Sequence, residues 1–145
     1  MRAVRISLLM LALASSPAWA SETDSSARLG QLFAEDQAVR AAAASREVNW
    51  EVVGRADAKR REEILSLMKR GRVSTATDYY HAAMIYQHAQ EPDELRLAYS
   101  LAWISATLNP NNPRARSLAD SLWERLAASA TAPAAAEPAP AQPQP

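Results

Sequence analysis

The chain contains no cysteine. That excludes disulfides, thiolate nucleophiles and cysteine-ligated metals, and it leaves the fold to rest on its apolar core alone. There are only three glycines, and they are well separated. No glycine-rich phosphate loop and no G-x-S-x-G nucleophile turn can be built from them. Net charge is also missing: 16 Lys and Arg face 16 Asp and Glu. A balance of this kind shows no electrostatic footprint for nucleic acid or for an anionic membrane surface. No apolar run reaches the roughly 20 residues that cross a bilayer. Alternation of apolar and polar residues, the mark of half-buried strands, is almost absent.

The two ends of the chain carry readable patterns. Arg2 and Arg5 make a basic start, Ile6 to Ala14 form a short apolar run, and Ala18-Trp19-Ala20 is an A-x-A site. These parts, in this order, are those of a secretory signal peptide. The expectation is cleavage after Ala20 and a periplasmic or secreted protein, with no membrane insertion once the signal is removed. Losing Arg2 and Arg5 leaves 14 basic residues against 16 acidic, a formal charge of −2. At the other end, "AASATAPAAAEPAPAQPQP" (127–145) holds five prolines and one charge. Such a segment cannot bury enough surface to offset its ordering entropy, and it reads as a disordered, partly polyproline-like tail. Residues 21–126 are left as a single domain.

Within that domain, apolar residues recur at spacings of three and four. Helix one is expected from about Ser25 to Ser45, with Leu29, Leu32 and Phe33 inside. Helix two is expected from about Asp57 to Arg70, with Ile64, Leu65, Leu67 and Met68 inside and Gly71 as its C-cap. Between them "REVNWEVVGRA" reads as a short helix or an extended link pinned by Trp50. Helix three is expected from about Ala76 to Ala89, entered through Ser74 or Thr75 with Asp78 in its first turn. Pro92 opens helix four, which runs to Leu108, is apolar on two faces and is therefore expected at the centre. Asn112 and Pro113 open helix five, carrying Leu118, Leu122 and Leu126. The fold class is all-α, with four to five antiparallel helices in a helical-hairpin (tetratricopeptide-like) or bundle arrangement.

Several charges fall where core residues belong. At 100° per residue, Asp36 and Arg40 lie within about 20° of Leu29. In helix two, Asp57 lies within about 20° of Ile64 and Met68, and Arg61 within about 40° of Asp57. Each helix thus has an Asp–Arg pair at i, i+4 in line with its apolar stripe. On an exposed helix end such a pair contributes a few tenths of a kcal/mol. Beneath a neighbouring helix it must be paired and hydrogen-bonded. In that case Asp36, Arg40, Asp57 and Arg61 form one network with Gln87 or His88.

The densest stretch is "DYYHAAMIYQH", Asp78 to His88. Its two histidines stand seven residues apart, roughly 10 Å along a helix axis, which is wrong for a helical metal pair. Asp78 and His81 have ligand spacing, but two ligands do not make a structural site. Neither a metal nor a cofactor is expected. His81 or His88 beside Asp78, Asp36 or Asp57 is a combination able to act as a general base. No nucleophile or oxyanion donor accompanies it.

Two resemblances are carried by these residues. Tyr79-x-x-Ala82-Ala83-x-x-Tyr86, followed by Ala98-x-x-x-Ala102-x-x-Ser105 and Pro110, resembles one tetratricopeptide helix pair. The gap from Tyr86 to Ala98 is three residues longer than that repeat allows. More of the chain resembles a family of bacterial extracytoplasmic all-helical proteins of unknown function. The family pattern D-Q-x-x-R, D-x-x-R-R, D-Y-Y-x-A-A and Q-H falls on Asp36, Gln37, Arg40, Asp57, Arg61, Asp78, Tyr79, Ala82, Ala83, Gln87 and His88. The family's D-R and G-K-P-Q…G-T-Q ending is replaced here by Trp123 to Leu126 and the Ala/Pro segment. The resemblance implies a location and a fold, and no activity.

Two functional readings suit these residues. One is a non-enzymatic module that binds another protein or peptide. The other is a small hydrolase-like enzyme or ligand-binding protein built on the cluster Asp36, Gln37, Arg40, Asp57, Arg61, Asp78, Gln87 and His88. Convergence of these side chains on an open cavity favours a ligand site.

Overall fold

The computed structural model describes residues 18–131, with side chains from 24 to 130. The basic and apolar parts of the expected signal peptide, and residues 132–145 of the Ala/Pro segment, lie outside the described residues. Five helices appear in order: α1 (Ala18–Ala43), α2 (Trp50–Lys69), α3 (Ala76–Tyr86), α4 (Pro92–Leu108) and α5 (Pro113–Thr131). There is no strand among the described residues. The all-α bundle read from the sequence is therefore the fold.

Local chemistry sets the helix ends. The Asn49 side chain accepts hydrogen bonds from the Glu51 and Val52 amides at 3.1 and 3.2 Å, opening α2. At the other end of α2, Gly71 has φ +65°. Its amide donates to Met68 O and the Arg72 amide donates to Leu67 O, both at 2.9 Å, the paired bonds of a left-handed glycine cap. Thr75 and Asp78 close a capping box at the start of α3. Pro92 and Pro113 each occupy a first helical position, where a missing N–H costs nothing.

Cross-helix pairs give the topology. Arg28 bonds Glu63, and Arg40 bonds Asp57, so α1 and α2 run antiparallel. Ser105 near the end of α4 donates to Ala76 O at the start of α3, 2.7 Å away. Tyr99 meets Trp123, and Trp103 meets Arg116, so α4 and α5 are antiparallel too. The core is Leu29 and Leu32 of α1, Ile64 and Leu67 of α2, Ile85 of α3, Leu101 of α4, and Leu118 and Leu122 of α5. Ala82, Ala83, Ala98 and Ala102 have no exposed surface, and these small side chains let α3 and α4 approach closely.

Several boundaries and faces differ from expectation. α1 runs from Ala18, the first described residue, through the expected A-x-A site, and no proline or glycine interrupts it until Gly30. α2 begins at Trp50 because Asn49 caps it there. Trp50 is 59% exposed and pins nothing to the core. Leu65, expected inside, is exposed beside buried Ile64. α3 ends at Tyr86, not Ala89. α4 is not central: Ile104 and Leu108 are exposed, and α3 instead packs against α1, α2 and α4. α5 continues to Thr131, so residues 127–131, expected in the tail, are helical. Alanine favours helix strongly, which suits the helical state of residues 127–131.

The facing of α2 is testable. Ile64→Ala should lower unfolding free energy by roughly 2–5 kcal/mol, as a fully buried truncation does. Leu65→Ala should change it by under about 1 kcal/mol, as a largely exposed site does. Urea denaturation of both variants checks this, and equal losses would contradict the facing.

Candidate functional site

Three of the four helical residues expected on apolar stripes do meet: Asp36, Arg40 and Asp57. Asp36 is fully buried, and Asp57 is 6% exposed. Neither carboxylate can stay charged there without partners. Arg40, one turn after Asp36, supplies them both. Its Nη2 donates to Asp57 Oδ2 at 2.9 Å. Its Nη1 lies 3.0 Å from Asp36 Oδ1, yet the hydrogen bond from that nitrogen is directed at the Asp36 carbonyl, 3.4 Å away. Arg40 and Asp36 therefore meet as an ion pair without an aligned side-chain hydrogen bond. The Gln37 amide donates to Asp36 Oδ2 at 2.9 Å. His88 Nε2 stands 3.6 Å from that same oxygen, beyond hydrogen-bond reach.

Asp57 has a second cation that the stripe argument missed. Buried Arg60, three residues on, hydrogen-bonds Asp57 Oδ1. Arg61, expected in that role, instead sends Nε to Glu94 Oε1 at 3.1 Å and so ties α2 to α4. Spacings of three and four both suit a helical pair. What could have distinguished them is that Arg60 faces inward past Asp57. Burial alone would raise the Asp57 carboxyl's pKa. The hydrogen bonds and charges of Arg40 and Arg60 outweigh it and hold the group below its ordinary value.

A cleft of about 320 Å³ opens beside this network. Arg40, Asp57, Arg61 and His88 line its polar side, and Trp50, Val53 and Gly54 its apolar side. Arg40 and His88 keep 22% and 27% of their side chains exposed, while Asp36 beneath them keeps none. The cleft thus offers cations and an imidazole over carboxylates that are already neutralised. It contains no hydroxyl or thiol nucleophile among its lining residues.

The remaining expected residues lie apart. Asp78 serves the start of α3: its carboxylate accepts from Ser26 Oγ and the Thr75 amide, each at 3.0 Å. Gln87 bonds the Met84 carbonyl at 3.0 Å, and it does not join the network. His81 stacks on Phe33 with ring centres 4.4 Å apart. Burial pushes its imidazole below its ordinary pKa, against a smaller upward pull from Asp78, so it is neutral at neutral pH. Among the described residues no three His, Asp or Glu side chains converge as metal ligands. No described helix is long and apolar enough to cross a membrane. The chain matches no family model, no curated protein and no solved structure.

Asp57→Ala should cost roughly 3–5 kcal/mol at neutral pH, because it strands buried Arg60 without its counter-charge. A carboxyl with a lowered folded pKa stabilises the protein fully above its ordinary value of 3.8, and that share is lost as pH falls through the folded value. The penalty should therefore hold steady above about pH 4 and shrink in more acid solution. Urea unfolding of both proteins across that range measures it. A penalty that stays the same at every pH would show that packing, not charge, is what the mutation removes.

Proposed function

We infer that this chain is an exported, non-enzymatic helical module that binds a protein or peptide by seating a carboxylate-bearing segment in the Trp50 cleft. The observation that carries this reading is the arrangement of that cleft. Arg61 is paired through Nε alone among the described residues. Its Nη groups and the exposed edge of Arg40 are donors suited to a planar carboxylate. Trp50, exposed on the opposite wall, offers a flat apolar surface for the residue that carries the acid. Asp36 and Asp57 are occupied by the protein's own arginines, so an incoming acid meets little net repulsion.

Export rests on Arg2, Arg5, the apolar run to Ala14 and the A-x-A site at Ala18–Ala20. The resemblance of Asp36-Gln37-x-x-Arg40, Asp57 and Asp78-Tyr79-Tyr80 to an extracytoplasmic family supports the same location. The buried alanines of α3 and α4 support a tetratricopeptide-like hairpin, a unit suited to protein binding. A second reading, a hydrolase-like enzyme, draws on His88 standing 3.6 Å from Asp36 at the cleft edge. Binding is favoured over it because Asp36 is inaccessible, Asp57 is held charged between two arginines, and no nucleophile lines the cleft.

The test uses Trp50 as its own reporter, in a chain from Ser21 with Trp103→Phe and Trp123→Phe. Peptides ending in a free carboxylate should shift Trp50 emission, and the same peptides amidated at the C-terminus should not. Arg61→Ala should weaken binding by about tenfold or more, the effect of losing a hydrogen bond to a charged group. Equal responses to acid and amide peptides, or full affinity in the Arg61 variant, would refute the carboxylate reading. Turnover of the peptide, lost in His88→Ala, would instead establish the enzyme.

A further inference from the structure

The α4–α5 face carries a second surface, of a different kind. A groove of about 500 Å³ runs between the two helices. Tyr99 and Arg96 of α4 form one wall, and Trp123, Leu126, Ala127 and Ala130 of α5 form the other. Trp123 is 59% exposed and Trp103 is 44% exposed. The rings form a row: Tyr99 lies 5.7 Å from Trp123 and 6.4 Å from Trp103, and Arg116 covers Trp103 at 5.0 Å. Two exposed indoles and a tyrosine in one row are a concentration of apolar area that monomers ordinarily cover or use. None of these residues contributes to the Trp50 cleft.

The segment after α5 has the matching chemistry. The groove's last lining residue is Ala130, and α5 ends at Thr131. The next 14 residues, 132–145, hold prolines at 133, 138, 140, 143 and 145. Proline-rich segments dock in aromatic-lined grooves because their extended helix is set before binding, so little entropy is lost. Pro140 and Pro143 are one turn of that helix apart and share a side. The reach also fits. Ala130 and Trp123 are about 10 Å apart along α5. After a reversal of about four residues, eight more at about 3.1 Å each span roughly 25 Å, enough to pass Trp123 and arrive at Trp103. The only charge in 132–145 is Glu137, and the only charge on the groove wall is Arg96, of opposite sign. Arg96 is otherwise held by a weak surface pair with Asp93.

We propose that the groove formed by Tyr99, Trp123 and Leu126 is the docking site of the chain's own proline-rich segment, residues 132–145. The segment folds back along α5 in the opposite direction, with Pro138 and Pro140 against Trp123 and Pro143 toward Trp103. The exposed indoles of α4 and α5 are then covered by the molecule itself.

Because the chain has no cysteine, Ala139→Cys introduces a unique thiol for a nitroxide spin label. The experiment uses the otherwise full chain, labelled with ¹⁵N, and reads the indole N–H signals assigned by Trp→Phe substitution. The expected result is loss of most of the Trp123 signal, partial loss at Trp103, and an unchanged signal at Trp50. Adding Pro138→Ser and Pro140→Ser should restore the Trp123 signal without altering the five helices, since both substitutions lie outside the described residues. Equal intensity at Trp50, Trp103 and Trp123, or loss that survives the proline substitutions, would overturn the proposal. So would loss at Trp123 in an unlabelled ¹⁵N chain mixed with a spin-labelled ¹⁴N chain, because the occupant would then be the segment of a second copy.

Discussion

Two carboxylates, Asp36 and Asp57, sit where α1, α2 and the end of α3 come together, and both are out of water. A bare carboxylate in such a place costs far more than a small domain has to spare. The positions of Arg40 and Arg60 are set by that cost. Arg40 must lie between the two acids, which fixes the register of α1 against α2. Arg60 must turn inward, which leaves Arg61 to face α4. A hydrophobic replacement for the whole set is conceivable on energetic grounds, since buried ion pairs seldom surpass well-packed apolar residues. The charged set does something that leucines do not. In this alignment Arg40 reaches acids on both helices, and a register shift would move it away from Asp57.

The helical positions of these charges were legible in the sequence because angular position needs only the helix period. Asp36 continues the stripe of Leu29 and Leu32, and it is buried as that stripe requires. Asp57 does the same beside Ile64. Partner choice was less legible. Arg60 and Arg61 are both within reach of Asp57, and which one turns inward depends on where α4 places Glu94, a tertiary fact. Trp50 is deceptive for a related reason. Large aromatics are usually core, but the Asn49 cap starts α2 at Trp50 and directs that ring outward. Asp78 was legible as a first-turn residue of α3, and its burial is explained by Ser26 arriving from α1. The inward face of α4 was not legible, because Ile104 and Leu108 are apolar yet belong to no stripe that another described helix covers.

The end of α3 shows how the polar residues of that stretch divide their tasks. Tyr86, Gln87 and His88 are consecutive, and each serves a different helix. The Tyr86 hydroxyl donates to the Arg61 carbonyl of α2 at 3.0 Å, and burial raises its pKa so that it keeps its proton. The Gln87 carbonyl, one of the unpaired acceptors at a helix end, accepts Arg125 of α5 at 2.7 Å. A cation at that end also suits the helix dipole. His88 turns toward Asp36 of α1. Polarity here is therefore not the mark of one site. It is the chemistry of a helix end on which three other helices converge, and only the last of the three residues reaches the cleft.

This convergence gives the cleft its rigidity and limits what it can do. Arg40 cannot swing toward a ligand without releasing Asp36 or Asp57, and either release exposes a buried charge. What Arg40 presents to the cleft is a fixed charge held by two carboxylates. Arg61 is different, since Glu94 is one-third exposed and yields Nε at little cost. His88 is held by no hydrogen bond at Nε2 among the described residues. The cleft therefore presents one immobile cation, Arg40, and one more loosely held, Arg61, with His88 and Trp50 beside them. That distribution accords with the proposal that the cleft seats a carboxylate-bearing segment.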